Sequence, residues 1–399
     1  EQEGLICREF AGDLLLPPEA VRTDRGTPYR VFTPFWRAWQ RAVPQATPLP
    51  APKALAGTRP SPASLDLRQL GLLPSIPWDQ GLATHWRPGE DAAHDRLQAF
   101  VDEGLSDYPQ QRDRPATDGT SGLSPYLAHG ELGPRQLLWA TEQAVEAETN
   151  RGLRPAAEAF VRQLAWREFA YHLLHHFPHL SDRPLDERFE AFPWQDRPEL
   201  SAAWQQGRTG IPWIDAGMRQ LWQSGWMHNR VRMAVASFLV KNGLIPWQQG
   251  ERWFWDTLVD ADLANNSLNW QWVAGCGPDA APYFRIFNPV RQGQRFDPDG
   301  AYVRRWVPEL AALPARWIHA PWEAPEAVRT EAGVTVGKDY PPPIIDLASS
   351  RDQALNLYRR FIKTSSTGTA GAPGHAASPR PGGRRRGGGG PRRGGPRDR

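Results

Sequence analysis

AAEAFVRQLAWREFAYHLLHH, residues 156–176, is an unbroken run of helix-forming and apolar residues closed by Pro178. It reads as one strong helix. On it Phe160, Gln163 and Arg167 stand at i, i+3 and i+7 and share a face, with Trp166 beside them. A face that mixes an aromatic ring, an amide and a guanidinium is unusual for a pure core. By spacing alone, Arg167 and Glu168 read as a solvated ion pair.

Working outward, the same helical periodicity recurs. Residues 91–104 are amphipathic through Leu97, Phe100 and Val101, with Leu105 following. Ser124-Pro125 opens a helix, with Ser as N-cap and Pro at the first helical position, continuing through Leu137, Leu138 and Ala144. Residues 214–223, 229–242 and 248–259 add three more, the second ending at Asn242-Gly243. Strand signals are almost absent between 91 and 340, so this region is expected to be all-α. Upstream, Leu5-Ile-Cys7 and Leu14-Leu-Leu16 read as short buried strands or turns, and residues 31–43 as a short helix. Residues 44–90 are rich in Pro, which suits a long linker. Residues 363–399 are mainly Gly, Pro, Ser and Arg, cannot bury enough apolar surface to fold, and are expected to be disordered.

Composition narrows the function classes. The chain has 399 residues, 40% of them hydrophobic, enough for a sizeable core. No run of about 18 apolar residues is present, so no transmembrane helix is expected. The start, Glu1-Gln-Glu-Gly-Leu5, lacks the features of a signal peptide and has no initiator Met, as in a fragment or trimmed gene product. Two cysteines, Cys7 and Cys276, exclude a disulfide framework and a cysteine-rich metal site, and fit a reducing cytosol. The net charge is +3, yet residues 364–399 carry eight Arg and one Asp, so the rest of the chain is acidic. Nucleic-acid binding by the body then needs a local basic patch. The Gly-Arg tail either adds salt-sensitive, sequence-blind attraction or is inert. Nineteen Trp point to a Trp-rich core or to stacking on flat ligands such as bases or a flavin.

Three further segments hold candidate chemistry. Gly119-Thr-Ser-Gly-Leu-Ser-Pro-Tyr-Leu127 gathers hydroxyls at a helix start, where free N–H groups and the helix dipole favour a phosphate, although most such residues are only caps. Gly225-Trp-Met-His-Asn-Arg-Val-Arg-Met233 places two Arg and an Asn at a helix entrance, to cap it or to bind an anion. Asp260-Ala-Asp-Leu-Ala-Asn-Asn-Ser-Leu-Asn-Trp-Gln-Trp272 is dense in polar groups. It lacks the Gly and the closing Glu of a calcium loop, so it reads as a polar loop leading to Trp270 and Trp272.

In this order, with Ile211-Pro-Trp-Ile-Asp-Ala-Gly-Met-Arg-Gln-Leu221 between them and Asp279-Ala-Ala-Pro-Tyr-Phe-Arg-Ile-Phe-Asn-Pro289 after them, these segments resemble the class I photolyase and cryptochrome family, from residue 1 to about 360. The resemblance implies a mostly α architecture. Residues 1–45 would be a remnant of an α/β Rossmann-like antenna domain, 46–90 the linker, 91–362 the all-helical FAD-binding catalytic domain and 363–399 the tail. With the family's opening strands missing, the second chromophore, a folate or a deazaflavin, would have lost most of its site.

The resemblance also assigns residues. Tyr108, Thr120, Ser121, Leu123, Ser124, Phe160, Arg167, Arg232, Asp260, Asp262 and Asn266 would hold FAD, with Arg232 and Asp260 as an ion pair and Asn266 facing N5 of a reduced, anionic flavin. Gln163, Trp166, Asn229, Arg230, Met233 and Trp272 would meet the lesion. Arg112, Arg230, Arg285 and Gln292 would hold DNA phosphates. Trp270, Trp247 and Trp194 would carry electrons from the surface inward. The implied activity is light-driven repair of a flipped-out cyclobutane pyrimidine dimer in damaged DNA by electron transfer from excited reduced FAD. The enzyme would be a monomer in the bacterial cytoplasm, at the nucleoid, without metal or membrane. Gln163 departs from the Glu usual in such repair enzymes. Gln occurs there in (6-4) photolyases, but these carry His where Asn229 stands. A blue-light sensor of cryptochrome type without repair is the alternative.

Overall fold

The computed structural model describes residues 12–44, 47–54, 65–147, 152–279, 283 and 285–367. Among them are seventeen α-helices and no sheet. In chain order these are α1 (Phe32–Ala42), α2 (Gln80–His85), α3 (Glu90–Ala99), α4 (Tyr108–Gln111), α5 (Ser124–Ala128), α6 (Pro134–Ala147), α7 (Leu153–His176), α8 (Pro198–Gln205) and α9 (Pro212–Ser224). They continue with α10 (Asn229–Ser237), α11 (Trp247–Thr257), α12 (Leu263–Ala274), α13 (Pro289–Phe296), α14 (Ala301–Trp306), α15 (Ala315–Ile318), α16 (Glu326–Glu331) and α17 (Leu347–Thr367).

Helix α7 organises the molecule. Phe160 and Leu164 on its first half enter one apolar cluster with Leu97, Phe100 and Tyr108. Ala165, Phe169 and Leu173 on its second half enter another with Phe32, Phe35 and Trp39 of α1. A third and larger cluster joins α9 to α12, α14 and α17 around Trp213, Phe238 and Trp270. Each such ring, taken out of water, contributes about 1.5–3 kcal/mol. Local signals fix the ends of the helices that carry the site. Pro212 starts α9 and Gly225, in the left-handed conformation, ends it. Asp262 caps α12 by accepting from the Asn265 N–H at 2.7 Å.

Several expectations change. The polar loop expected over Asp260–Trp272 is helix from Leu263 onward, because Asp262 caps it and its polar side chains line the cavity. The helix expected to run from Ser124 through Ala144 is two helices, because the chain turns at Gly130 with φ of 71°. Ser124 is the first residue of α5 and not its cap, and its hydroxyl donates to Asp260 instead. The helices over 91–104 and 229–242 each end in a π-helical turn, Phe100–Gly104 and Phe238–Asn242. The strand-or-turn reading of Leu14-Leu-Leu16 resolves to an irregular segment: the N–H groups of Leu15 and Leu16 donate to the Glu168 carboxylate at 2.9 and 3.2 Å. The tail expected to be disordered from residue 363 is helical through Thr367, as the end of α17. Leu5-Ile-Cys7 and residues 368–399 lie outside the described residues.

Glu168 therefore overturns the solvated-pair reading. It is buried, burial pushes its carboxyl up to about 7, and Arg167 lies 4.0 Å from it while donating to the Asp13 carbonyl. The segment before the linker is part of the helical body: α1 packs on α7, and the Phe32 N–H donates to Asp279. Part of the linker is also anchored, since α2 packs on α9 and the Trp86 indole donates to the Ser224 carbonyl at 2.6 Å.

Candidate functional site

A cavity of about 870 Å³ opens between α7, α10, α12 and the loop before α5. That lies near the upper end of ligand pockets, roughly 300–1,000 Å³, and suits a dinucleotide better than a small metabolite. Its lining gathers residues from positions 108 to 285 of the chain.

On one side the loop before α5 contributes Ser121, Leu123 and Ser124. Arg96 shapes this loop: its guanidinium donates to the carbonyls of Ser121 (2.7 Å) and Thr120 (3.1 Å) and to both carboxylate oxygens of Asp118. Gly122 crosses directly over that guanidinium with φ of 66°, where a Cβ would lie 2.9 Å from Arg96 Nε. Thr120 does not line the cavity; its backbone holds Arg96. Because α5 is only five residues long, its dipole is that of little more than one turn. An anion here would be met chiefly by hydroxyls and loop N–H groups.

The floor is polar. Arg232 and Asp260 pair through Nη2 at 2.8 and 3.1 Å, and Ser124 Oγ donates to the same Asp260 at 2.7 Å. Asp262 accepts from the Tyr171 hydroxyl and from the Asn265 N–H and side-chain amide. Burial, together with that carboxylate, pushes the Tyr171 phenol well above its usual range. Asn266 lines the cavity, and its amide nitrogen donates to the Glu251 carbonyl at 2.9 Å. That bond uses one of the two amide hydrogens, so the side-chain oxygen and the second N–H are both available to a ligand. Beneath it the buried Glu251 carboxyl accepts from Ser267 and is pushed up to about 7, mainly by desolvation.

The mouth is aromatic and basic. Trp166 stacks on Phe32 with centroids 3.6 Å apart and planes 7° apart, and Trp272 also lines the cavity. Gln163 donates to the Ala159 carbonyl, and Asn229 and Met233 lie at the entrance of α10. That entrance is capped by His228, which accepts from the Arg230 N–H and donates to the Arg112 carbonyl. Burial holds the His228 imidazole down to about 4, so it is neutral at pH 7. Arg230 forms a two-pronged pair with Asp113 at 2.9 and 2.7 Å. Arg112 and Arg285 line the cavity as well.

The structure thus brings around one cavity Tyr108, Phe160 and Arg167 with the polar floor and the mouth residues already described. It does not bring Gln292, which sits on α13 away from the lining. Trp270 lines the cavity and stands edge-on to Phe254 (5.0 Å) and Trp204 (6.2 Å). Trp247 is buried in the same apolar cluster, and Trp194 is packed against its edge. Sequence reasoning missed Arg96, Asp113, Tyr171, Glu251 and Trp204. The first four are polar or charged residues without a local motif, and Trp204 is one indole among nineteen. Among the described residues no cluster of metal ligands occurs, and no helix is long and apolar enough to cross a membrane.

A helical body around a dinucleotide-sized cavity, with hydroxyls at one side, a carboxylate–guanidinium pair on its floor and one aromatic-walled mouth, defines a FAD-binding domain. The model for the FAD binding domain of DNA photolyase matches residues 160–360, and the DNA photolyase model matches residues 1–53. A deoxyribodipyrimidine photo-lyase of Agrobacterium fabrum is 48% identical over 364 residues, covering 91% of this chain and 75% of the relative. The crystal structure of a bacterial class III photolyase from Agrobacterium tumefaciens, also 48% identical, superposes with a TM-score of 0.86 over 91% of this chain and 74% of that one. Cryptochrome-2 of Arabidopsis thaliana is 36% identical, covering 88% of this chain and 59% of the relative. The chain belongs to the DNA photolyase family, and its cofactor is FAD. The resemblance drawn from sequence was to the class I group, whereas the solved relative is described as class III.

Proposed function

We propose that this chain repairs cyclobutane pyrimidine dimers in DNA under blue or near-ultraviolet light. The observation that carries the reading is one cavity with a polar floor suited to FAD and a mouth walled by Trp166 and Trp272 and edged by Arg112, Arg230 and Arg285. The chemistry that bound, reduced FAD supplies is a photoexcited electron lent to the dimer, whose cyclobutane bonds then open.

The chain's own residues bind and orient. Ser121 would meet the pyrophosphate, joined by Ser124 once its hydroxyl turns from Asp260, and the Arg232–Asp260 pair and Asp262 would hold the ring system. Asn266 would present its side-chain amide to the flavin, the Glu251 carbonyl fixing its orientation through one amide hydrogen. Trp166, stiffened by the Phe32 stack, and Trp272 form flat walls for an extruded dimer. The Gln163 amide offers a neutral hydrogen bond to it. Arg112, Arg230 and Arg285 hold the backbone that surrounds the extruded bases. Trp270, at the cavity, and Trp247 and Trp194 behind it relay electrons from outside. Neither Asn229 nor Met233 is the His that (6-4) repair needs.

The test is illumination of the purified, reduced protein with an oligonucleotide holding one thymine dimer. Restored thymines in the light and none in the dark are expected. A yellow, light-responsive protein that leaves the dimer intact is the outcome for a cryptochrome-type sensor.

A further inference from the structure

Arg230 is not a free cation at the cavity mouth. Its Nε and Nη2 engage both oxygens of Asp113, at 2.9 and 2.7 Å, while its guanidinium lies 5.0 Å over the Phe296 ring of α13. The same Asp113 stands 3.9 Å from Nε of Arg112, which in turn lies 5.1 Å over the Tyr108 ring. One carboxylate therefore sits between two cavity-lining arginines. The two residues that carry it are tied to α10 a second time, because His228 bonds the Arg112 carbonyl. The arginines hold the Asp113 carboxyl below the usual carboxylate range, so it keeps its charge near neutral pH.

A fork of two N–H donors binds a carboxylate and a phosphate with the same geometry. We propose that Asp113 is an internal competitor for Arg230: a carboxylate standing where a DNA phosphate binds, which the backbone must displace. The proposal rests on the DNA-repair reading for its ligand. The side chains of Arg230 and Asp113 are 31% and 35% exposed, so the pair is wet enough to exchange. In free protein the mouth then presents less positive charge than its arginines imply. Sequence-blind attraction to undamaged DNA, which comes almost wholly from phosphate contacts, is held down.

The experiment compares wild type and Asp113→Asn, both loaded with FAD, on an undamaged duplex and on the same duplex with one thymine dimer, across a salt series. Asp113→Asn should bind the undamaged duplex about three- to tenfold more tightly near 0.1 M salt. Its log K should fall more steeply with log salt, by about 0.9, the increment for one more neutralised phosphate. The gain should vanish when Arg230→Gln is added. Unchanged or weaker binding by Asp113→Asn would make Asp113 a mere support for Arg230 and overturn the proposal. A gain that survives in the Arg230→Gln background would assign it to net charge and overturn it equally. Wild-type protein that shows no preference for the dimer would instead sink the repair reading, while the undamaged duplex still judges Asp113.

Discussion

Two residues, Gln163 on the cavity lining and Glu251 behind Asn266, set chemistry through the charge they lack or withhold. Gln163 presents a neutral amide to the position where a dimer would sit. A carboxyl there can make a stronger, charge-assisted hydrogen bond to a developing radical anion if it carries a proton. Gln163→Glu should therefore raise the quantum yield of dimer splitting, read as thymines restored per photon absorbed. An unchanged yield removes Gln163 from the lesion contacts.

Glu251 withholds its charge. Its folded-state value near 7 lies above the ordinary 4.5 because burial disfavours the carboxylate. A raised carboxyl contributes stability that is fully present below about 4.5 and is lost as pH rises through 7. Glu168, raised to the same value, acts in the same window, and Asp297, raised from 3.8 to about 6, acts in a lower one. Glu251→Gln keeps an acceptor for Ser267 but cannot ionise. Denaturant unfolding should show the wild type losing on the order of 2–3 kcal/mol more than this variant between pH 4.5 and 8, since a tenfold change in proton affinity is worth about 1.4 kcal/mol. Parallel pH profiles for the two proteins would place the Glu251 carboxyl in its ordinary range.

At the scale of elements, the loop before α5 depends on a residue 22 positions upstream of its anchor Asp118. Arg96 satisfies two loop carbonyls and one carboxylate at once, a task that suits a planar fork and not a point charge. Arg96→Ala should leave the helices in place, with far-ultraviolet circular dichroism unchanged, and weaken FAD retention by about 10- to 100-fold, measured as flavin absorbance kept through gel filtration. Arg96→Lys should rescue little of it. Full retention in Arg96→Ala would show that the loop holds its shape without the clamp. A five-residue helix such as α5 cannot by itself fix an anion, so the hydroxyls depend on this support.

For the whole molecule, the packing of residues 12–43 against α7 links an apolar cluster to the mouth of the cavity. Phe32 closes one face of Trp166, and its backbone is tied to Asp279, itself a cavity residue. Phe32→Ala opens a void in that cluster, and core truncations of this size cost about 3–5 kcal/mol. The expected result is a lower melting temperature and weaker binding of dimer-containing DNA with FAD content preserved. Unaltered affinity for the dimer would show that Trp166 keeps its orientation without the ring behind it.

Much of this architecture was legible along the chain. The run from 156 to 176 and the stretches 214–223 and 229–242 write helices locally, because a helix is built from contacts three and four residues apart, whereas the polar side chains of 260–272 hid α12 behind the pattern of a loop. Ser121, Ser124, Asp260, Asn266 and Trp272 stood in recognisable segments, and the resemblance of those segments named the cofactor. What tertiary structure alone decided are pairings between distant positions: Glu168 with Leu15 across 153 residues, Arg230 with Asp113 across 117 and Phe32 with Asp279 across 247. Local pattern records which side chains a helix turns toward its neighbours. It does not record which neighbour arrives, and the charge on Glu168, the freedom of Arg230 and the backing of Trp166 are all set by that arrival.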